Sequence, residues 1–279
     1  MRAIRPASLM PSPDFSRDLD QHRGYLMRVA RLQLRDEALA EDVVQETLLA
    51  ALSGSGFSGK SSLRTWLTGI LKHKVVDAIR KKQREPTVAS AFGDIEMEMD
   101  IEDLDGLFKE NGAWDARPAD WGNPEAALDR RQFFEMMDFC LEKLPPNTAR
   151  AFMLREVMEL ETDEICKELT ITANNLWVIL YRARMSLRRC LEQNWFAGKG
   201  ASPEPPPSKS ASPRPMIRKQ LGHMISCKDA SRLMSRREDA SLTFWQRLTL
   251  RLHLSVCAAC ARFERQVRFL RTAMQKYRS

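Results

Sequence analysis

The chain has 279 residues, 43% of them hydrophobic and 29% charged, which is typical of a soluble globular protein with two or three small domains. It contains no run of eighteen apolar residues, and its N-terminus lacks the apolar core of a secretory signal, so we expect a cytoplasmic protein without a membrane span. Six cysteines in such a chain indicate reduced thiols or metal ligands rather than a disulfide framework. The net charge of +7 is unevenly distributed, which indicates nucleic-acid and intramolecular partners.

The first half of the chain reads as a helical domain followed by an acidic linker. Apolar residues recur at helical spacing over residues 18–86, interrupted only by the Gly- and Ser-rich stretch 53–59. Residues 87–124 hold ten carboxylates against two basic residues. Such a composition predicts a linker, with room for one short helix.

Helical periodicity resumes over residues 125–196 and predicts a second domain of three or four helices. Residues 197–215 form a spacer rich in proline, glycine and serine, which cannot bury a core and would reach roughly 50 Å at about 3.1 Å per residue. Residues 216–279 are again helical in pattern, with fourteen basic residues against four carboxylates. No strand-like alternation is present, so the predicted fold class is all-α.

The second domain contains a helix-turn-helix pattern, with a short helix at 162–169, a tight turn and a longer helix ending at 191. Thr172 is placed to cap the second helix, and Asn174 and Asn175 lie in the first turn, which would enter a major groove. Arg182, Arg184 and Arg188, together with Arg189, are expected to face outward and meet phosphates. The inward stripe is predicted to be Leu176, Leu180, Ala183 and Leu187, with Cys166 and Trp177 also in the core. The same periodicity would suit an ordinary helical hairpin with a solvated basic face.

Metal-ligand spacing is found in the segment HLSVCAAC, where His253, Cys257 and Cys260 would share one helical face. A tetrahedral zinc site needs a fourth ligand, for which Cys227 is the candidate and His223 a substitute. A redox CxxC motif would require a strand–helix context that is absent here. Cys140 and Cys190 have no close partners in the sequence, and we expect them to be structural.

Residues 141–191 resemble the C-terminal promoter-binding domain of extracytoplasmic-function sigma factors. Residues 42–49 (DVVQETLL) resemble the polymerase-binding helix of that family, and residues 63–84 resemble its promoter-melting helix. The resemblance covers residues 18–195 and implies binding to the RNA polymerase core, to the −10 element by the first domain and to the −35 element by the second. His73 departs from the family, which commonly has Asn there.

Two residue sets in the first domain follow from this resemblance and from helix geometry. One helix face carries an acidic stripe with a single leucine, suited to a basic helical partner and expected to bind the polymerase: Asp42, Gln45, Glu46 and Leu49. Val44, Leu48 and Ala51 face the core. The residues expected to meet promoter DNA at the −10 element are basic or small and polar: Lys60, Ser61, His73, Lys74, Arg80 and Lys81.

Residues 223–270 resemble the zinc-containing anti-sigma family, whose fingerprint is His-x3-Cys-x2-Cys after an upstream Cys or His. This resemblance implies an inhibitory domain in contact with the sigma part. We hypothesise that the basic segment covers the acidic stripe of Asp42 and Glu46 and the acidic linker. A structural zinc and a sensing zinc are both compatible with the sequence, and so are a natural and an artificial fusion.

The sequence therefore predicts a promoter-recognition subunit of RNA polymerase that performs no catalysis and carries a fused zinc-binding inhibitor. The alternative is a polymerase-independent helix-turn-helix repressor whose basic zinc domain is an additional DNA-binding module.

Overall fold

The structure is a computed structural model that describes residues 13–53, 57–84, 106–197 and 225–279. Ten α-helices and no β-strand are present in these ranges, which confirms the all-α prediction. None of the described helices is long and apolar enough to cross a membrane. The chain divides into two compact units, the first containing three helices and the second seven.

The first unit is a three-helix bundle of α1 (Pro13–Leu34), α2 (Glu37–Ser53) and α3 (Leu63–Arg84). Polar side chains set two of the helix starts: Asp36 accepts a hydrogen bond from the Leu39 amide, and Ser62 accepts one from the Thr65 amide. The core consists of fully buried aliphatic residues from all three helices: Leu26, Val29, Ala40, Val44, Leu67, Leu71 and Val75. This bundle begins at Pro13, before the predicted domain start at residue 18, and ends at Arg84, close to the predicted end at residue 86.

The second unit begins with a folded segment before its first long helix. Residues 107–115 form a tight hairpin in which the Lys109 amide donates to the Ala113 carbonyl and the Asp115 amide to the Leu107 carbonyl. Trp114 and Trp121 are buried. The part of the acidic region from 106 to 124 is therefore packed into the unit instead of forming an extended linker, because its apolar side chains find partners far along the chain. The rest of that region, residues 87–105, lies outside the described residues.

Four helices follow, as the periodicity predicts: α4 (Arg131–Glu142), α5 (Pro146–Glu156), α6 (Thr162–Leu169) and α7 (Ala173–Leu191). A short 3-10 helix precedes them at Pro124–Ala127, and a π-helical turn at Glu192–Phe196 follows. The predicted spacer lies almost wholly outside the described residues, and so does His223.

The C-terminal segment of the second unit contains α8 (Cys227–Arg237), α9 (Phe244–Val256) and α10 (Ala258–Arg278). Ser226 caps α8 by accepting from the Asp229 amide, and Thr243 caps α9 in a reciprocal capping box with Gln246. A mixed core joins this segment to α7 and to the hairpin. It includes Phe108, Trp114, Tyr181, Met185, Ala230, Met234, Cys260 and Phe263.

Candidate DNA-binding and metal sites

The helix-turn-helix forms at the predicted residues. α6 begins with a capping box in which Glu161 and Glu164 bond reciprocally to each other's backbone amides, and it ends at Thr170 in the left-handed conformation (φ 56°). α7 is capped by Thr172, whose Oγ1 accepts from the Asn175 amide at 3.3 Å. The predicted inward stripe is confirmed, since Leu176, Leu180, Ala183 and Leu187 are all fully buried.

The first turn of α7 remains accessible. Thr172 and Asn174 are exposed and Asn175 is half-buried, so these predicted −35 contacts lie where a major groove can reach them. Cys166 and Trp177 are half-buried rather than fully in the core. Trp177 is covered on one ring face by the Arg236 guanidinium of α8, 3.9 Å from the ring centroid.

Two of the predicted phosphate-binding arginines do not face outward. Arg184 and Arg188 are 2% and 3% exposed, whereas Arg182 is half-buried. Arg188 pairs with Glu192 at 2.8 Å, one turn further along the chain. The expected orientation of Arg184 and Arg188 is wrong because α8 covers the face of α7 that carries Arg184 and because Glu192 supplies a local carboxylate to Arg188.

Arg184 is the centre of a buried ion cluster that joins α7 to the C-terminal segment. Its guanidinium donates to both carboxylate oxygens of Asp239, at 2.6 and 2.9 Å, and to Glu156 at 2.8 Å. Further bonds reach the carbonyl and hydroxyl of Ser235. Asp239 is also 3.3 Å from the Arg155 guanidinium. The Asp239 carboxylate thus contacts two arginines of the helix-turn-helix domain, and Glu156 supplies a second carboxylate to Arg184.

Burial alone would lower the pKa of Arg184, but the charges and hydrogen bonds of Asp239 and Glu156 outweigh it and leave that pKa above its ordinary value. The side chains of Arg184 and Asp239 are 3% and 1% exposed. A charge pair this deeply buried contributes net stability only while both partners are present, since either one alone would be an uncompensated buried charge.

The contact between α7 and α8 extends beyond the ion cluster. The Tyr181 hydroxyl lies 2.9 Å from the Ser231 hydroxyl, and Met185 packs with Ala230 and Met234 in one apolar cluster. Together with the Trp177–Arg236 contact, these interactions run along about two turns of α7. α8 therefore covers the part of the recognition helix α7 that lies C-terminal to its exposed first turn.

The predicted metal ligands come together at the junction of the three C-terminal helices. One ligand atom each from Cys227, His253, Cys257 and Cys260 lies within 4.8 Å of the others. The sulfurs of Cys227 and Cys257 are 3.9 Å apart, and His253 Nε2 is 3.2 Å from the Cys260 sulfur. Zinc with ligand distances of about 2.3 Å to sulfur would set tetrahedral sulfur–sulfur edges of about 3.8 Å, so the cluster has both the donor set and the size for this ion.

The ligands do not share a single helix face, contrary to the prediction. α9 ends at Val256, and Cys257 adopts an extended conformation (φ −111°, ψ 97°) before α10 begins. His253 therefore lies in the last turn of α9, and Cys260 lies in the first turn of α10. Cys227 is the first residue of α8. A metal ion here would tie three helix ends together, which is the kind of staple that a short segment needs.

Mutual hydrogen bonds shift the pKa values of these ligands in opposite directions. Bonds from Cys227, Cys260 and His253 lower the pKa of the Cys257 thiol, while those with Cys227 and Cys257 raise the pKa of Cys260. Hydrogen bonds with Cys227 and Cys257 raise the pKa of His253 to about 9. A metal ion must displace protons from such a cluster, so its affinity falls as the pH falls.

One functional candidate escaped sequence reasoning. The indole Nε1 of Trp114, in the hairpin of residues 107–115, donates to the Cys260 sulfur at 3.2 Å. The two residues are 146 positions apart, so no local sequence pattern predicts this contact. The sequence signal for a buried hairpin is the presence of three large apolar residues in an otherwise acidic region: Leu107, Phe108 and Trp114.

Cys140 and Cys190, which have no close partners in the sequence and are expected to be structural, form a disulfide that links α4 to the end of α7. The expectation of reduced thiols or metal ligands is wrong for this pair, because the two residues are 50 positions apart and become neighbours, with Cα atoms 5.8 Å apart, only when the helices pack. The other four cysteines are free thiols.

In the first unit, the predicted polymerase-binding residues share one exposed face of α2: Asp42, Gln45, Glu46 and Leu49. Leu49 is 63% exposed. On the opposite face Val44, Leu48 and Ala51 are buried, as predicted. An acidic, exposed stripe with one apolar side chain is available for a protein partner.

The predicted −10 residues also lie at the surface of the first unit. Lys60 and Ser61 are exposed in the loop before α3, where Gly59 has a positive φ of 71°. His73, Arg80 and Lys81 are exposed on α3. Lys74 is half-buried and pairs with Glu46 at 2.9 Å, which ties a predicted DNA-binding helix to the predicted polymerase-binding helix.

Comparison with known proteins places both domains in one family. Residues 19–85 match the model for Sigma-70 region 2, and residues 134–187 match Sigma-70, region 4. A probable RNA polymerase sigma factor of Haemophilus influenzae is 35% identical over 180 residues, covering 63% of this chain and 89% of the relative. The extracytoplasmic-function (ECF) RNA polymerase sigma factor SigM of Bacillus subtilis is 24% identical, covering 60% of this chain and 90% of the relative.

Among solved structures, the sigma factor RpoE in complex with the anti-sigma factor NepR from Bartonella quintana is 22% identical and covers 65% of this chain and 98% of that chain. Its TM-score is 0.32, which is too low to support an argument about the fold. The family assignment depends on the two matched regions and on the relatives aligned over most of their length. The chain belongs to the sigma-70 family of RNA polymerase sigma factors.

Proposed function

We propose that this sigma factor is held inactive by its own C-terminal segment, α8 to α10, and that a zinc ion at Cys227, His253, Cys257 and Cys260 maintains the inhibitory fold. The observation that carries the proposal is the burial of the Tyr181–Met185 part of α7, including Arg184, against α8 and Asp239. A recognition helix must present its outer side chains to a groove and to phosphates before it can bind promoter DNA.

Inhibition is supported by the electrostatics of the contact between α7 and the C-terminal segment, in addition to the steric block. Asp239 offers the Arg184 guanidinium two oxygens at 2.6 and 2.9 Å, in the manner of a phosphate group. DNA would have to displace this carboxylate and expose a buried guanidinium. Asp239 therefore acts as an internal competitor for the promoter backbone.

Zinc is the metal that the donor set favours, since three thiolates and one imidazole in a compact cluster are typical of structural zinc sites. The same thiolates supply a route to activation. Hydrogen peroxide can oxidise Cys257 and Cys260 to a disulfide, in which two thiols lose two protons and two electrons and peroxide is reduced to two water molecules. Loss of two ligands releases the ion and loosens α8 to α10.

The test is in vitro transcription with purified core polymerase. The full chain is compared with a chain ending at Ala197, which keeps Phe196 stacked on Trp121 at 4.2 Å. With zinc and reductant, we expect initiation only from the shortened chain, and after peroxide from both. Equal activity of the two chains throughout would show that the C-terminal segment is no inhibitor.

Two further proposals concern the remaining partners. The face of α2 with Asp42 and Glu46 is proposed to bind the polymerase. In the chain ending at Ala197, charge reversal at both positions should abolish core binding without reducing the affinity for a −35 duplex. A polymerase-independent repressor would keep its activity after this charge reversal. If the C-terminal segment is instead an accessory DNA-binding module, its truncation should weaken DNA binding. The inhibitor proposal predicts that truncation strengthens it.

A further inference from the structure

The hairpin of residues 107–115 closes one side of the metal cluster, although it belongs to the connection between the two sigma domains. Its turn is anchored to the start of α8, where the Lys228 amide donates to the Gly112 carbonyl at 2.9 Å. Gly112 has a φ of 73°, and a Cβ atom there would lie 2.7 Å from the Cβ of Ser226. Only glycine allows this close approach to the residue that precedes the ligand Cys227.

Trp114 is held in one orientation by the rings on either side of it. Its ring centroid is 4.4 Å from that of Phe108 and 5.4 Å from that of Phe263 in α10. The side chain is 5% exposed, and its indole nitrogen is 3.2 Å from the Cys260 sulfur. An indole N–H can only donate, so the sulfur is the acceptor, and a sulfur accepts more strongly as a thiolate than as a thiol.

We infer that Trp114 is a positioning residue of the metal site, which donates a hydrogen bond to the metal-bound thiolate of Cys260. The inference rests on the proposed zinc site and deepens it: the site is assembled from the C-terminal segment and from the connection between the sigma domains. Hydrogen-bond donors of this kind orient a ligand and stabilise its charge, and their loss commonly weakens metal binding about 10- to 100-fold.

The contact makes metal occupancy and hairpin docking interdependent. If the docked hairpin strengthens metal binding, then bound metal must strengthen hairpin docking by the same factor. Metal loss is therefore expected to loosen the docked hairpin as well as the α7 contact.

The test compares zinc affinity of the full chain with that of the Trp114→Phe variant, by competition with a chromogenic chelator under reductant. Phenylalanine keeps an aromatic ring in the stack and removes the donor. Trp121→Phe is the matched control, since Trp121 is also buried and its Nε1 donates to Glu192 at 3.3 Å, away from the metal ligands. We expect affinity to fall about 10- to 100-fold in Trp114→Phe only. Equal affinity in the two variants would overturn the inference.

A second measurement uses the unmodified chain and so does not depend on the folding of a variant. With ¹¹³Cd in place of zinc, the hydrogen bond should transmit a scalar coupling from the metal through Cys260 to one indole proton. The chain has six tryptophans, and the coupling is expected at Trp114 alone. Its absence from every indole proton contradicts the inference while leaving the metal site intact, whereas a chain that takes up neither zinc nor cadmium removes the proposed site itself.

Discussion

Asp239 is the residue on which the proposed inhibited state depends most directly. Its carboxylate is 1% exposed and contacts both Arg155 and Arg184. Replacing Asp239 leaves Arg184 with Glu156, at 2.8 Å, as its remaining carboxylate in the cluster, and removing one partner of a buried ion pair costs up to about 3–5 kcal/mol. That cost falls on the inhibited state alone, because the arginines are free to meet solvent or phosphate once α8 leaves.

We therefore predict that Asp239→Asn releases α7 and raises affinity for a −35 promoter duplex by about tenfold or more, since each 1.4 kcal/mol corresponds to a factor of ten. Fluorescence anisotropy of a labelled duplex measures the change. Glu238→Gln is the matched control, because Glu238 pairs with Arg237 and Arg271 inside the C-terminal segment. Equal gains from both substitutions would mean that general loosening, not the Arg184 contact, controls binding.

At the scale of elements, the boundaries of α6 and α7 were predictable because their signals are local. The cap at Thr172 and the apolar residues at Leu176, Leu180 and Leu187 lie within a few turns of one another and determine helix start and buried face. The pairing of elements was not predictable in the same way. The helical pattern predicts an outward-facing Arg184, because its partner Asp239 lies 55 positions away along the chain, in another part of the fold.

The Cys140–Cys190 disulfide joins α4 to α7 and is another long-range pairing that spacing could not reveal. Cross-linking residues 50 positions apart restricts the unfolded chain and stabilises the domain by about 4 kcal/mol in the chain-entropy model. The double variant Cys140→Ser/Cys190→Ser should therefore unfold at a lower urea concentration than the oxidised chain. Cys166→Ser, at a free and half-buried thiol, should not.

A thiol count in denaturant with a zinc chelator checks the pairing directly. The oxidised chain should present four reactive thiols and the reduced chain six, because four cysteines are free and two are paired. Six thiols before reduction would show that the pair is not bonded in solution, and the difference in urea midpoint should then vanish.

At the scale of the whole molecule, the sequence predicts the four residues of the candidate metal cluster but not the side chains that surround them. The ligands follow a short motif plus one upstream cysteine, whereas Trp114 reaches Cys260 across 146 positions. The acidic composition of residues 87–124 predicts a solvated linker. That prediction does not take account of the few apolar residues, such as Phe108 and Trp114, that pack into the second unit. Charge averages describe a segment poorly when a few large side chains decide its folding.

Metal removal should loosen the second unit and leave the first unchanged. We expect a chelator with reductant to increase hydrogen–deuterium exchange in α8 to α10 and in α7, because the ligands tie together the ends of the three C-terminal helices. The amides of α1 to α3 are the internal control. Unchanged exchange in α8 and α7 would show that the ion does not maintain the inhibitory contact.

Covalent attachment determines how inhibition depends on concentration. A segment tethered to its target acts at an effective concentration in the range of about 1 mM, however dilute the protein is. We therefore predict that the full chain is equally unable to bind a −35 duplex at nanomolar and at micromolar protein, with Asp239→Asn binding at both. Inhibition that disappears on dilution would instead mean that the segment of one molecule covers α7 of another, and a fall in apparent mass over the same range in sedimentation would identify that exchange.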